Sequence, residues 1–405
     1  MVRALYVDLN SFFASCEQQL QPHLRGQPVA IVPMIADTTS VIAASYEAKA
    51  FGIKTGTRVY DAKKMCPGIH FVAAQHKPYI EFHHKVKVAI DTVIPIHAVR
   101  SIDEFACELT GSQQNEDKAI SLAQKIKQVL HTQVGEYIKA SIGLAPNFLL
   151  AKIAADMNKP DGLTVLNSEN LKNKLINLKL QDIPGIGPNM DYRLQSKGIT
   201  TVEQLLSCSE QTTKSLWENI WGVRMHKLLH GEWIDFLHPS EVKSIGHQHV
   251  LPPVKRNYED AQLVGQKLLW KAAVRLRENQ FLTRKLFVSI RYMDNDRFTL
   301  EIALNATQDS GQLLQQFNFI YKKSPKNKKP RKISVTLSDF ISENQYQMSF
   351  FERKDTSSIY KAVDALNKKY GKNTIVAGSL LEHKDTAPTR ISFQRIPQLN
   401  EVGDD

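Results

Sequence analysis

The chain has 405 residues, of which 42% are hydrophobic, and it carries a net charge of +11 with a pI near 9.3. This length predicts two to four domains, and the apolar content is enough for buried cores. No apolar run is long enough to span a bilayer and no signal peptide is recognisable, so we expect neither a membrane partner nor secretion. The cysteines lack a CxxC pair, which favours reduced thiols in a cytoplasmic protein over disulfides or a zinc site.

The first 165 residues alternate apolar strands with helical segments, a pattern typical of an α/β domain. The predicted strands are Ala4–Val7, Val29–Val32, Val41–Ala44, His70–Val72, Val99–Glu104, Ala140–Gly143 and Gly162–Val165. The predicted helices are Ser11–Gln19, Tyr79–Ile94, Ala119–Thr132 and Phe148–Met157.

Acidic residues follow two of these apolar runs. The run Leu5–Val7 stops at Asp8, and the run that starts at Ala98–Val99 leads to the adjacent pair Asp103 and Glu104. If the two strands lie side by side, three carboxylates converge on one small volume. That arrangement is costly unless cations occupy it, and Mg²⁺ prefers such oxygen ligands. Taken singly, each acid also fits a solvated turn residue.

Residues 166–233 predict helices and contain a Gly-Ile-Gly turn at Gly185 and Gly187, with a weaker second turn at Ile220–Val223. A backbone without side chains can approach a phosphate closely and present its N–H groups. An ordinary helix–helix turn fits this short pattern equally well.

Residues 231–242 are predicted to form a linker, and an α+β unit follows. Its predicted strands are Ser244–Pro252, Arg284–Tyr292, Arg297–Leu304 and Lys332–Ser338, and its predicted helices are Ala261–Arg277 and Ser310–Lys322. In the remaining tail we predict one helix, Ile359–Tyr370, which ends at Gly371.

Residues 244–346 contain 17 Lys and Arg against 9 Asp and Glu, so they carry most of the positive excess. Seven of these cations crowd one short segment: Lys322, Lys323, Lys326, Lys328, Lys329, Arg331 and Lys332. A surface that tracks phosphates is favoured, and a solvated loop is the alternative.

Four motifs occur in a fixed order: DLNSFFASCE at residues 8–17, SYEAKAFG at 45–52, SIDE at 101–104 and KIAADMNKP at 152–160. Together they resemble the Y-family (translesion) DNA polymerases. The NSFFASCE run is especially similar to the bacterial UmuC/ImpB/UvrX branch. The resemblance covers about the first 350 residues.

The resemblance implies a multidomain right-hand polymerase that combines α/β and α+β domains. It implies a palm at residues 1–165 with fingers inserted at about 11–76, and a helical helix-hairpin-helix thumb at 166–233. A linker at 234–243 and an α+β little finger at 244–346 follow. A clamp-binding motif at 347–351 and a tail at 352–405 complete the chain.

Catalytic and metal-binding roles also follow from the resemblance. Asp8, Asp103 and Glu104 occupy the family's carboxylate positions, and Leu9 offers a backbone carbonyl to a metal. These residues are expected to hold two Mg²⁺ ions.

The nucleotide-binding positions implied by the family are Phe12, Phe13, Tyr46, Lys49 and Lys159. Phe13 falls at the sugar-discriminating position, where a flat ring leaves no room for a ribose hydroxyl. Many members carry Arg in place of Lys49, and lysine lacks the bidentate fork, so we expect a looser phosphate clamp. Without the family, Phe12 and Phe13 would be assigned to a core.

Contacts with DNA and with a sliding clamp are implied further along the chain. Gly185 and Gly187 match the thumb turn, and the second DNA grip would use Lys326, Lys328, Lys329 and Arg331. The run Gln347, Met348, Ser349, Phe350 and Phe351 resembles the pentapeptide by which bacterial polymerases bind the clamp. A terminal strand that buries Phe350 and Phe351 is the alternative.

The leading hypothesis is a DNA-templated DNA polymerase that inserts nucleotides opposite damaged template bases with low fidelity and no proofreading. Its expected partners are primer–template DNA, deoxynucleoside triphosphates and a sliding clamp, and the need for an accessory subunit stays open. One alternative is a non-catalytic DNA-binding damage-response factor that keeps the polymerase shell. Another is a different palm-domain enzyme, such as a nucleotide cyclase.

Overall fold

The structure, a computed structural model, describes residues 1–235, 242–346, 357–383 and 396–397. The chain divides into two compact units, residues 1–238 with 390–405 and residues 239–389. None of the helices in the described ranges is long and apolar enough to cross a membrane.

The strands are β1 (Ala4–Leu9), β2 (Val29–Val32), β3 (Ala43–Ala44), β4 (His70–Ala73), β5 (Ala98–Val99), β6 (Glu104–Glu108), β7 (Ala140–Ala145), β8 (Leu163–Val165), β9 (Ser244–Val250), β10 (Phe281–Tyr292), β11 (Arg297–Thr307) and β12 (Pro330–Ser342). The α-helices are α1 (Phe12–Leu20), α2 (Tyr46–Ala50), α3 (Val59–Met65), α4 (His76–Asp91), α5 (Glu116–Val129), α6 (Phe148–Met157), α7 (Leu171–Leu175), α8 (Pro188–Ser196), α9 (Val202–Leu206), α10 (Glu210–Trp217), α11 (Ile220–Leu229), α12 (Tyr258–Glu278), α13 (Ser310–Lys322) and α14 (Ser357–Tyr370).

The first unit is built on a five-stranded sheet in the order β5-β6-β1-β7-β8. Because side chains alternate along a strand, the central strand β1 contributes side chains to two apolar cores. Leu5 and Val7 pack with α1, α4 and α5 on one face, whereas Ala4 and Tyr6 pack with α6 on the other. Both faces of β1 are therefore covered, and its carboxyl end is where polar side chains collect.

A smaller sheet, in the order β3-β2-β4, lies between α1 and α4 in the chain. Its strands and the helices α2 and α3 share an apolar cluster of their own, which includes Val32, Val41, Ile53 and Val59. Residues 29–73 thus form a compact insertion within the first unit.

Helices α7 to α11 follow the five-stranded sheet. Leu175, Leu194 and Met225 from these helices join the cluster that also buries α6. This segment contains no strand among residues 166–235, as the sequence predicted.

The second unit contains an antiparallel sheet in the order β11-β10-β12-β9. Alternate residues of β10 and β12, such as Val288 and Val335, are buried with α12 and α13. Helix α14 packs against α12, where the guanidinium of Arg277 forms an ion pair with Asp364 at 2.6 Å. The predicted tail helix is therefore an integral part of this unit.

The predicted α/β and α+β organisation is confirmed, as are the bounds of β2, α6 and α13. Other predicted bounds differ from those of the structure, and two predictions were wrong in kind. The segment Val99–Glu104 is not one strand, since β5 ends at Val99 and β6 begins at Glu104. The supposed second turn at Ile220–Val223 is the first turn of α11, which Asn219 caps by accepting from the N–H of Trp221.

Candidate active site

Strand pairing brings the acidic residues together at the carboxyl end of β1. Asp8 lies directly opposite Glu104 in the antiparallel register between β1 and β6. The N–H of Leu9 donates to the carbonyl oxygen of Asp103 at 2.9 Å. Asp8 thus meets the adjacent pair Asp103 and Glu104, far apart from it in the chain, at one end of the five-stranded sheet.

Asp103 lies in a turn rather than at a strand end. The N–H of Arg100 donates to the carbonyl of Glu104 at 2.9 Å, and the Ser101 hydroxyl donates to Oδ1 of Asp103. The N–H of Asp103 also donates to Oγ of Ser101 at 3.3 Å, and a serine side chain that bonds the backbone two residues on stabilises a turn over a continuous strand. This contact explains why the predicted strand breaks before the acidic pair.

Two lysines neutralise the acids. Nζ of Lys159 lies 2.6 Å from Oδ1 of Asp8, and Nζ of Lys152 lies 4.0 Å from its Oδ2. Lys152 also pairs with Oε1 of Glu104, while the hydroxyl of Tyr6 donates to Oε2 at 3.1 Å. Each carboxylate oxygen of Glu104 therefore has its own donor.

Burial dominates the electrostatics of the site. It raises the pKa of Asp8 to about 6, although the ammonium of Lys159 opposes the shift. Burial also raises the pKa of Asp103, against the hydrogen bond from Ser101. Burial lowers the pKa of Lys159, but the carboxylates of Asp8 and Asp156 outweigh it and the net shift is upward. The acids thus need nearby positive charge to stay ionised at neutral pH.

The donor set suits a hard divalent cation, because it consists of carboxylates beside a backbone carbonyl at Leu9. Within the described ranges, no group of three or more His, Cys, Asp or Glu side chains is arranged as a metal-ligand cluster. Lys152 and Lys159 supply the positive charge instead. A cation would therefore have to replace ammonium groups at these oxygens.

The predicted phosphate-contacting residues lie near these acids. Tyr46 and Lys49 share the short helix α2, which Ser45 caps, and Nζ of Lys49 lies 4.1 Å from the centroid of the Tyr46 ring. Burial lowers the pKa of Lys49, Lys159 lowers it further, and Asp8 opposes both. Positive charge from α2 and from Lys159 therefore converges beside Asp8.

The two phenylalanines at the start of α1 have different surroundings. Phe12 is 3% exposed and belongs to the core. Phe13 is half-buried, and its ring stacks on that of Tyr79. The structure thus puts Phe13, and not Phe12, on the accessible side of the helix start.

Sequence reasoning missed Tyr6, Asn10 and Lys152 as parts of this site. Asn10 is buried beside Asp8, and its Oδ1 accepts from the N–H of Asp161 at 2.7 Å. It thereby holds the loop that carries Lys159. The strand alternation that puts Tyr6 on the same face as Asp8 is the signal that could have found Tyr6.

The predicted Gly-Ile-Gly turn has a backbone conformation at Gly185 that favours glycine. Gly185 has φ +97°, and Gly187 caps α8 without any atom near the place of a side chain. The turn is therefore open on the side of Gly187.

The predicted second-grip cations lie at one end of the little-finger sheet. Lys326, Lys328 and Lys329 line a groove of about 360 Å³ together with Arg256 at the start of α12. Lys328 is already paired with Asp294 at 2.8 Å and with Asp296. The positive charge of Lys328 is thus partly neutralised by these two aspartates.

A second row of cations combines Lys332, which belongs to the predicted cluster, with Arg291 and Arg297, which sequence reasoning missed. The register pairs Arg291 of β10 with Arg297 of β11 and with Lys332 of β12. These residues alternate with Ile290 and Ile333, which pack on the helices, so they lie on the opposite, open face of the sheet. The predicted clamp motif, residues 347–351, lies outside the described residues.

The comparisons with known proteins decide the family. The profile of the impB/mucB/samB family matches residues 7–156, and that of its C-terminal domain matches residues 242–350. The DNA polymerase IV of Moorella thermoacetica is 32% identical over 379 residues, which cover 92% of this chain and 94% of that protein. This chain belongs to the Y-family of DNA polymerases.

Further relatives agree with this assignment. DNA polymerase IV 1 of Bacillus subtilis is 29% identical over 400 residues and covers 96% of each chain. A chimera of the Y-family polymerases Dbh and Dpo4 has a TM-score of 0.73 at 25% identity, over 84% of this chain and all of the chimera. An insertion ternary complex of Dbh DNA polymerase has a TM-score of 0.56 at 26% identity, with the same coverage. This Y-family chain is a DNA-directed DNA polymerase, which argues against the non-catalytic and cyclase alternatives.

Proposed function

We propose that this polymerase inserts nucleotides opposite damaged template bases by two-metal nucleotidyl transfer. The observation that carries the proposal is the register of Asp8 opposite Glu104, with Asp103 beside Leu9 and the cations of α2 and Lys159 around them. Transfer of a nucleotide to a primer requires acidic metal ligands and phosphate-binding groups close together, and both lie at this end of the sheet.

The residues have separate roles in this proposal. Asp8, Asp103, Glu104 and the carbonyl of Leu9 would hold two Mg²⁺ ions, which would supply positive charge where negative charge develops on the reacting oxygens. Tyr46, Lys49 and Lys159 bind and orient the triphosphate. Phe13 lies under the sugar and excludes a 2′ hydroxyl.

DNA and the clamp are held by other parts of the chain. The turn at Gly185 and Gly187 approaches the duplex backbone in the thumb, residues 166–233. The little finger, residues 244–346, binds phosphates through the groove lysines Lys326, Lys328 and Lys329 with Arg331, and through the row of Arg291, Arg297 and Lys332. Residues 347–351 bind a sliding clamp. Work on chromosomal DNA would place the protein in the cytoplasm.

Beyond the palm, which we place at residues 1–165 with fingers inserted at about 11–76, we recognise no acidic constellation in the sequence that suits a proofreading exonuclease. We therefore expect uncorrected synthesis of low fidelity.

The test is primer extension by the full chain with Mg²⁺ on matched templates that differ only by one abasic site. Extension past the lesion, at a rate within about an order of magnitude of the rate on intact template, supports the proposal. Full extension on the intact template, together with synthesis on the damaged template that stops one nucleotide before the lesion, would support a polymerase but contradict a translesion role. An Asp8→Ala variant controls for contaminating polymerase.

A further inference from the structure

Glu104 is held by two donors of different kinds. The ammonium of Lys152 bonds Oε1, and the hydroxyl of Tyr6 donates to Oε2 at 3.1 Å. Tyr6 comes from the central strand β1 and Lys152 from the helix α6 that covers this face of the sheet. Both oxygens are therefore occupied by groups of the protein itself.

The two donors differ in exposure and charge. Tyr6 is 3% exposed, and its ring packs in the cluster between the sheet and α6. Lys152 is more accessible, with 26% of its side chain exposed, and its Nζ also lies 4.0 Å from Asp8 Oδ2. A flexible ammonium shared between two acids can leave more easily than a buried phenol.

A bound cation would affect these donors in opposite ways. It competes with an ammonium for carboxylate charge, because both are positive and both need the same oxygens. It does not compete with a neutral hydroxyl that donates to the other oxygen, since such an outer hydrogen bond orients a ligand. The two contacts therefore predict opposite effects on metal affinity.

We propose that Tyr6 is a positioning residue that fixes the orientation of Glu104, and that Lys152 is an internal counter-ion that a divalent cation displaces. The proposal rests on the metal site of the proposed function. It assigns to this chain two residues that adjust metal affinity through their contacts with the acids.

The experiment measures binding of Mn²⁺ to the full chain, without DNA or nucleotide, from the electron paramagnetic resonance signal of free Mn²⁺. Tyr6→Phe keeps the ring and removes the donor, so the affinity should fall about tenfold. Lys152→Gln removes the competing charge, so the affinity should rise. Opposite signs cannot come from general damage to the fold.

Tyr79→Phe is the matched control. It removes another hydrogen bond from a buried tyrosine to a glutamate, since the hydroxyl of Tyr79 donates to Oε1 of Glu17 at 2.7 Å. Glu17 is not among the proposed metal ligands, so Mn²⁺ affinity should stay at the parent value. Thermal unfolding in chelator checks that every variant is folded.

Each part of the inference can fail separately. If Tyr6→Phe binds Mn²⁺ as tightly as the parent does, Tyr6 has no positioning role. If Lys152→Gln binds Mn²⁺ more weakly than the parent does, Lys152 is not a counter-ion that the cation displaces. Asp103→Ala separates these failures from that of the proposed function. If Asp103→Ala binds Mn²⁺ as tightly as the parent, the metal site itself is wrong.

Discussion

The ring of Phe13 stacks on the ring of Tyr79, with centroids 4.6 Å apart and planes inclined by 16°. Tyr79 is fully buried in α4, and its hydroxyl donates to Glu17 in α1 at 2.7 Å. Phe13 therefore rests on a ring that is fixed both by packing and by a hydrogen bond. Such support suits a side chain whose role is to exclude a single hydroxyl group.

Removal of the Phe13 ring should weaken selection against ribonucleotides. We expect Phe13→Ala to reduce discrimination between deoxyribo- and ribonucleotides by about 10- to 100-fold, the range that pocket contacts supply. Single-turnover insertion of matched nucleotide pairs measures the ratio. Phe12→Leu is the control, since Phe12 is a core residue. An unchanged ratio in Phe13→Ala would make Phe13 a packing residue only.

The buried carboxyl of Asp8 should make stability depend on pH. Its folded-state pKa of about 6 lies above the ordinary value of 3.8, so unfolding releases a proton between these pH values. The parent should therefore lose stability relative to Asp8→Asn as the pH rises from 4 to 7, by on the order of 3 kcal/mol.

Denaturant unfolding in chelator, at several pH values, measures this difference. The relevant transition is the one that Asp8→Asn shifts. A stability difference between parent and variant that stays constant from pH 4 to pH 7 would show that Asp8 titrates normally.

The two groups of little-finger cations should differ in their effect on DNA binding. Replacement of Arg291, Arg297 and Lys332 by Gln should make the slope of log affinity against log salt shallower by about 1 to 3, because each phosphate contact contributes roughly 0.9. Neutralising Lys326, Lys328, Lys329 and Arg331 together should also reduce the slope.

Lys328→Gln alone is the internal comparison for that experiment. Its ammonium is held by Asp294 and Asp296, so the single change should lower the slope by less than the roughly 0.9 that a full phosphate contact contributes. If neither multiple variant alters the slope, the little finger does not bind phosphates through these residues.

The pentapeptide at residues 347–351 should couple the polymerase to a sliding clamp. Replacement of Gln347, Phe350 and Phe351 by Ala should remove stimulation by loaded clamp and leave distributive synthesis intact, because the anchors of a peptide motif carry most of its affinity. Ser349→Ala is the matched control. Equal stimulation of the triple variant and the parent would refute the motif, and a triple variant that unfolds would support the packed-strand alternative.

Local patterns predicted much of the fold. The predicted helix Phe148–Met157 matches α6 to the residue. The strand β1 was expected to stop before Asp8 but runs to Leu9, because Asp8 and Leu9 pair with Ser141 and Ala140 of β7. A polar side chain does not end a strand whose backbone has partners on both sides.

The support around the acids could not be predicted from local patterns. Tyr6 meets Glu104 across 98 positions of sequence, and Asn10 meets Asp161 across 151. Such hydrogen bonds depend on the register between strands and on how α6 crosses them. The sequence contains the residues, but their partners follow only from the assembled sheet.

The most direct test of the account is single-turnover primer extension by Asp103→Ala at saturating Mg²⁺, with binding of the same primer–template measured in parallel. Extension should fall by at least about 100-fold while DNA affinity stays within a factor of about three, because the change removes charge stabilisation and not a DNA contact. Extension by Asp103→Ala at a rate close to that of the parent would contradict the assignment of Asp8, Asp103 and Glu104 as the catalytic acids.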